Sequence, residues 1–313
     1  MKRICALLLT AALLTGPTAA AGETAEAAQP ALDLSAASAV LMEKETGTLL
    51  YEKASHEKLE PASVTKVMTL LLIFEALDSG RVAKEDVVTV SAYAAGMGGS
   101  QVYLKEGEQM TVGELVKCIT VVSGNDAAVA MAEYLAGSET AFVEQMNRRA
   151  QDLGMGDTTF LNCTGLPAQG HVTSAHDIAL MSRELVLNHP GIREYTTIWM
   201  DSIRNGAFGL TNTNRLVRFY QGATGLKTGS TDSALYCMSA TAERDGMELI
   251  AVVMKSPTSA DRFEDAKALL DYGFASYSLV SVYPDFPLAP IPVLLGEQGQ
   301  VQPQLARECR LLV

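Results

Sequence analysis

Leu59-Glu60-Pro61-Ala62-Ser63-Val64-Thr65-Lys66 opens an apolar run that continues to Leu77 and stops at Asp78-Ser79-Gly80. Proline near a first turn is a helix start signal, so the pattern predicts a helix from about residue 63 to residue 77. Positions i and i+3 share a helix face, which places Lys66 one turn from the Ser63 hydroxyl. A serine hydroxyl is a weak nucleophile and needs a base beside it. A lysine serves as that base only where burial or nearby positive charge lowers its pKa. Alone, S-x-x-K is better read as a capped helix carrying a solvated lysine.

On the N-terminal side, residues 37–42 and 48–51 flank a Glu45-Thr46-Gly47 turn and read as a β-hairpin. On the C-terminal side, Thr111 with Glu114 forms a capping-box signature for a helix through about Val122. Further helices are predicted over residues 126–135, over residues 139–153 behind Ser138, and from Ser174 to Val186, with residues 155–174 loop-like. Residues 234–242 and 247–255 are rich in β formers and join at Arg244-Asp245-Gly246, a second hairpin signal. Ser259 begins a last helix through about Tyr272. Strands at both ends with helices between them predict an α+β fold. Its antiparallel sheet would join N- and C-terminal segments and pack against a helical region.

The 24 basic and 36 acidic residues give a net charge of −12, which argues against a nucleic-acid partner, since a phosphate backbone needs a basic surface. Residues 1–21, MKRICALLLTAALLTGPTAAA, have a basic start, an apolar run too short to span a bilayer, and small residues at the end. This is the pattern of a secretory signal peptide, so export to the cell envelope is expected. Residues 22–34 read as a flexible leader and residues 35–277 as the catalytic domain. Residues 278–313, punctuated by five prolines, read as the incomplete start of a small β-rich module with no visible membrane anchor. Cys118, Cys163, Cys237 and Cys309 remain after cleavage, in apolar settings that suit buried free thiols. His56, His171, His176 and His189 show no metal-ligand spacing, and His176 reads as a helix-start residue.

Two more short motifs stand out. Ser123-Gly124-Asn125 lies in the break between two apolar helices, where Ser123 can relay a proton and Asn125 can hold a substrate amide. The same residues alone make a plain helix cap. Lys227-Thr228-Gly229 is predicted at the head of the first strand of the second hairpin. Its lysine and threonine suit a carboxylate, and its glycine permits close approach to a strand edge. The order S-x-x-K, S-x-N, K-T-G, each in a fitting local context, is far more specific than any member of the trio.

From residue 37 to about residue 277 the chain resembles the serine D-alanyl-D-alanine carboxypeptidases, the low-molecular-mass penicillin-binding proteins of peptidase family S11. Beyond the trio, the resemblance rests on Phe160-Leu161-Asn162-Cys163-Thr164-Gly165-Leu166-Pro167, Thr173-Ser174-Ala175-His176-Asp177 and Asn212-Thr213-Asn214-Arg215-Leu216. It implies a β-lactamase/transpeptidase-like fold and an acyl-enzyme on Ser63, formed from the D-Ala-D-Ala terminus of a peptidoglycan stem peptide. Lys66 and Ser123 would move protons. Asn125, Lys227, Thr228, Gly229 and, by a weaker match, Arg262 would bind substrate, with the Ser63 and Ser230 amides as the oxyanion hole. β-Lactam antibiotics would acylate the same serine, and the resemblance implies no metal and no organic cofactor.

A class A-like β-lactamase shares the fold and the trio but also needs a glutamate to hydrolyse the acyl-enzyme, and Thr158 stands at that position. Slow deacylation, and so inhibition by penicillin, is expected instead. A non-catalytic cell-wall-binding homologue is the alternative from another class, disfavoured because every named catalytic residue is present. A transpeptidase would usually bring extra domains and a membrane anchor.

Overall fold

The computed structural model describes residues 32–282, 288–293, 299–303 and 309–313. The predicted signal peptide and most of the predicted leader lie outside the described residues. Strands β1 (Ser38–Glu43) and β2 (Leu49–Lys53) form the first hairpin. A 3₁₀ turn over Ala62–Thr65 leads into α1 (Lys66–Asp78). Then come β3 (Val87–Thr89), α2 (Ala92–Ala95), β4 (Gln109–Thr111), α3 (Val112–Val121), α4 (Asn125–Ala136), α5 (Glu139–Asp152), α6 (Ala175–Asn188) and α7 (Arg193–Thr196). A short hairpin, β5 (Met200–Ile203) and β6 (Phe208–Thr211), precedes α8 (Leu216–Phe219). Three long strands follow, β7 (Ala223–Thr231), β8 (Leu235–Arg244) and β9 (Met247–Ser256), and then α9 (Ser259–Ser276). Two ribbons end the chain: β10 (Leu279–Val282) pairs with β13 (Cys309–Leu312), and β11 (Ile291–Pro292) with β12 (Gln300–Val301).

The main sheet has the order β2-β1-β9-β8-β7, and its pairings are all antiparallel. The predicted joining of N- and C-terminal strands is the β1–β9 pairing, with Ser38 opposite Met254 and Glu43 opposite Leu249. Strand side chains alternate between faces. Val40 and Met42 of β1, with Ile250, Val252 and Met254 of β9, enter the core under the helical region. Ala39 and Leu41, with Leu249, Ala251 and Val253, enter a second core under α9. A sheet covered on both faces explains why β1 and β9 read as continuous apolar runs. Helix α6 lies on β1 and β9, and α1 packs beside α6 and against α3, α4 and β7. Surrounded in this way, α1 buries every residue from Lys66 to Phe74, so its apolar character extends around the whole helix. The predicted capping box is present: Thr111 Oγ1 accepts from the Glu114 amide, and Glu114 Oε2 accepts from the Thr111 amide.

Two sequence expectations are corrected. The α-helix begins at Lys66, not Ser63; Ser63 sits in the preceding 3₁₀ turn, behind Ala62 with φ +48°. Lys227-Thr228-Gly229 is not the head of the hairpin's first strand. It lies inside β7, a separate strand at the sheet edge, where Lys227 pairs with Ser239 and Gly229 with Cys237. Two glycines and several small polar residues conceal the strand propensity of residues 223–231. Cys118, Cys163 and Cys237 are buried free thiols, while the Cys309 side chain lies outside the described residues. Among the described residues, no helix is long and apolar enough to cross a membrane.

Gly165 adopts φ +84°, and a Cβ there would stand 1.8 Å from the Ala62 carbonyl oxygen, inside any permitted contact. Gly165→Ala should therefore cost about 2–4 kcal/mol in stability, from left-handed strain plus a forced backbone shift. Gly209→Ala, in open space on β6, should change stability by less than about 1 kcal/mol. Thermal or denaturant unfolding of the two variants checks this, and equal effects would refute the packing argument.

Candidate active site

The 3₁₀ turn presents Ser63 half-buried at the edge of the helical region, and Lys66 follows as the first residue of α1 with none of its surface exposed. Lys66 Nζ lies 3.0 Å from Ser63 Oγ, 2.6 Å from Asn125 Oδ1 and 2.7 Å from the Thr164 carbonyl oxygen. Burial outweighs the opposing pull of Cys163 and Asp126 and lowers the Lys66 pKa to about 7. That shift represents roughly 5 kcal/mol of bias toward the neutral amine. A neutral amine has two N–H groups and one lone pair. Donating both protons to Asn125 Oδ1 and Thr164 O leaves the lone pair facing Ser63 Oγ, the arrangement a general base requires.

The break between α3 and α4 supplies the second motif. Ser123 adopts φ +64°, and its buried hydroxyl has no hydrogen-bond partner. Asn125 is the first residue of α4, not part of the turn, and its Nδ2 donates to the Gly98 carbonyl at 2.7 Å. Its amide oxygen is thus engaged by Lys66 in this state instead of being free for a substrate amide. Asp126 beside it is buried and accepts from the Val102, Leu104 and Ala127 amides, which fixes the loop opposite the motif.

Strand β7 brings the third motif alongside. A Cβ on Gly229 would lie 2.8 Å from the Ser63 nitrogen and 2.9 Å from Pro61 O and Val64 N, so the glycine lets the strand seat directly on the Ser63 turn. Lys227 is buried, and its Nζ donates to the Thr228 carbonyl at 2.9 Å. Burial first, then the positive charges of Lys66 and Arg262, hold its pKa well below the usual lysine value. Thr228 Oγ1 donates to Thr213 Oγ1 at 2.8 Å, and Ser230 follows on exposed strand. Arg262, on α9, donates to the Gly229 carbonyl at 3.1 Å and lies over the Tyr236 and Phe263 rings; its Nε is buried without a partner.

The fold thus gathers Ser63, Lys66, Asn125, Lys227, Thr228, Gly229 and Arg262 from five elements. It also uses residues to which the sequence reading gave no role. Asn162 Oδ1 accepts from the Thr164 and Gly165 amides and so holds the Thr164 carbonyl toward Lys66. The T-G-L segment was visible as a motif, but nothing in it signals that a main-chain oxygen is the functional atom. Thr158, at the position of the β-lactamase glutamate, donates to Asp177 Oδ2 and meets Thr173 Oγ1. His189 comes within metal-ligand reach of Glu75 and Glu184, a grouping that its spacing in sequence hides. Arg149 already pairs with both carboxylates, and His189 Nδ1 with Asp78.

A family model described as D-alanyl-D-alanine carboxypeptidase matches residues 23–258. The chain is 44% identical over 308 residues to the D-alanyl-D-alanine carboxypeptidase DacF of Bacillus subtilis (strain 168), covering 96% of this chain and 79% of that one. It superimposes on penicillin binding protein 6B from Escherichia coli with a TM-score of 0.79 at 32% identity, covering 92% of this chain and 87% of that one. With penicillin-binding protein D2 from Listeria monocytogenes in its ampicillin-bound form, the TM-score is 0.72 at 34% identity, covering 78% of this chain and all of that one. The chain is therefore a member of the D-alanyl-D-alanine carboxypeptidases of family S11, with the α+β fold of the penicillin-binding proteins.

Proposed function

We propose that the chain removes the terminal D-alanine from peptidoglycan stem pentapeptides through an ester on Ser63. The observation that carries the assignment is the buried Lys66 amine 3.0 Å from Ser63 Oγ, with its other two contacts on carbonyl oxygens. Ser63 Oγ attacks the carbonyl carbon between the two D-alanines while its proton passes to Lys66 Nζ. The amides of Ser63 and Ser230 receive the negative charge that forms on the carbonyl oxygen. The proton continues through Ser123 to the leaving nitrogen, the C–N bond breaks, and D-alanine departs. Water then hydrolyses the ester and restores Ser63.

The leaving carboxylate is held by Lys227 and Thr228, with Arg262 adding positive charge behind the strand. A buried group that lacks a partner suits a ligand that supplies one, as the Ser123 hydroxyl does. β-Lactams acylate Ser63 by the same attack. Thr158 provides no carboxylate to drive deacylation, so the penicilloyl ester persists. Residues 1–21 act as the export signal, residues 35–277 as the catalytic unit and residues 278–313 as a β-rich segment that follows it. These assignments give the enzyme a place at the cell envelope.

Fluorescent penicillin should label the wild-type protein, and Ser63→Ala should abolish both labelling and release of D-alanine from a stem pentapeptide. Lys66→Met should slow acylation by about 10²–10⁴-fold. A wild-type protein that labels but releases no D-alanine would sink the carboxypeptidase reading, and rapid turnover of penicillin would restore the β-lactamase one. The pH dependence follows from Lys66, because only its neutral form accepts the serine proton. Acylation should rise about tenfold per pH unit on the acid side of about 7 and level off above it. A flat profile between about pH 5.5 and 8.5 in pre-steady-state acylation would exclude Lys66 as the base.

A further inference from the structure

His171 is buried, takes no part in the steps above, and joins the two pieces of backbone that frame Lys66. Its Nδ1 accepts the Leu161 amide at 3.1 Å, so in the neutral ring the proton resides on Nε2. Nε2 then donates to Thr65 Oγ1 at 2.8 Å, and Thr65 Oγ1 donates to the Ala62 carbonyl at 2.8 Å. The chain of donors runs one way, from the Leu161 strip to the nucleophile turn. Phe160 packs edge-on against the ring, with centroids 5.9 Å apart. Burial, opposed only by the charge of Glu60, lowers the His171 pKa to about 4, so the ring is neutral wherever the enzyme's base is active.

Both ends of this chain bear on the reacting atoms. Thr65 immediately precedes Lys66, and Ala62, with φ +48°, immediately precedes Ser63. The Leu161 strip ends in the Thr164 carbonyl that receives Lys66 Nζ. The strip is pinned elsewhere too: Asn147 clamps both polar groups of Phe160, Thr69 donates to the Cys163 carbonyl, and Glu139 accepts the Cys163 amide. Those contacts fix the strip to α1 and α5, whereas His171 ties it by hydrogen bonds to the Ser63 turn, on which Gly165 also packs.

We propose that His171 is a positioning residue for acyl transfer: through Thr65 it sets the separation between the Ser63 turn and the Thr164 carbonyl, and so aims the Lys66 lone pair at Ser63 Oγ. The inference rests on reading Ser63 as nucleophile and Lys66 as base. If Thr164 O drifts by about 1 Å, a Lys66 N–H is freed to turn toward Ser63 and the lone pair points away. Misplacement on that scale costs up to about 10²-fold in rate.

The test is the single-turnover rate of Ser63 acylation by a fluorescent penicillin, normalised to the fraction that mass spectrometry shows to be acylable. His171→Phe keeps the ring and its contact with Phe160 but removes both hydrogen bonds, and should acylate about 10–100-fold more slowly. Thr65→Val, nearly isosteric, should lose at least about tenfold, and the double variant should be no slower than His171→Phe, because both changes cut one chain. His171→Gln, which can donate to Thr65 and accept from Leu161, should recover to within about threefold of wild type. Equal rates in His171→Phe and wild type, additive losses in the double variant, or no recovery with glutamine would each overturn the proposal. Should His171→Phe fail to fold, a wild-type rate in Thr65→Val overturns it equally. Failure of the wild-type protein to acylate at Ser63 would strike the underlying assignment instead.

Discussion

The site depends on one constraint, an amine held where water cannot reach it. Lys66 is fully enclosed, and burial alone accounts for the fall of its pKa to about 7. An isolated ammonium in such a place would cost several kcal/mol. Three oxygens from separate parts of the chain, Ser63 Oγ, Asn125 Oδ1 and Thr164 O, leave the nitrogen satisfied in either protonation state. Three N–H groups fit the cation, and two N–H groups plus a lone pair fit the neutral base. A group proposed to gain and lose a proton at neutral pH is served best by surroundings that tolerate both forms. The helix that carries it is correspondingly buried on all sides, and the sheet and four helices around α1 are what exclude the water.

Close backbone packing does the rest. The turn that carries Ser63 is pressed from two directions, by Gly165 on the Ala62 carbonyl and by Gly229 on the Ser63 and Val64 amides. Neither approach leaves room for a side chain. The positive φ angles at Ala62 and Ser123 occur at the nucleophile turn and at the S-G-N turn. Strain of this kind, roughly 1–3 kcal/mol each, persists where neighbours over-determine the backbone. Here the neighbours are identifiable, namely β7, the 160–167 strip and the Asn125 and Asp126 hydrogen bonds.

The charge at the site runs against the charge of the chain. The sequence carries a net −12, yet burial first, and then the positive charges of Lys66 and Arg262, depress the pKa of Lys227. Desolvation weakens screening, so a positive charge buried at the site acts more strongly at short range than many solvated carboxylates. On the proposed function, an anionic substrate would be recognised by local groups instead of by the mean field.

Much of the fold was legible in the sequence because it follows from local physics. Apolar periodicity, the Thr111 capping box and the Arg244-Asp245-Gly246 turn are short-range signals, and the helices and hairpins lie within a few residues of their expected positions. The trio of motifs likewise singled out Ser63, Lys66, Asn125 and Lys227, which the fold brings together, since side-chain chemistry is written in residue type. The strand through Lys227-Thr228-Gly229 was missed because its glycines serve contact with another segment, not strand propensity. Asn125 was read as a substrate ligand, but its oxygen holds Lys66, a partner 59 residues distant. The Thr164 carbonyl and the His171–Thr65 link were not readable at all. Every residue has a carbonyl, and a hydrogen bond between residues 106 positions apart exists only once the chain has closed. The sequence by itself determined which groups can react; the tertiary structure decided which of them are dry, where their lone pairs point, and which main-chain atoms take part, because burial and distance are properties of the packed chain.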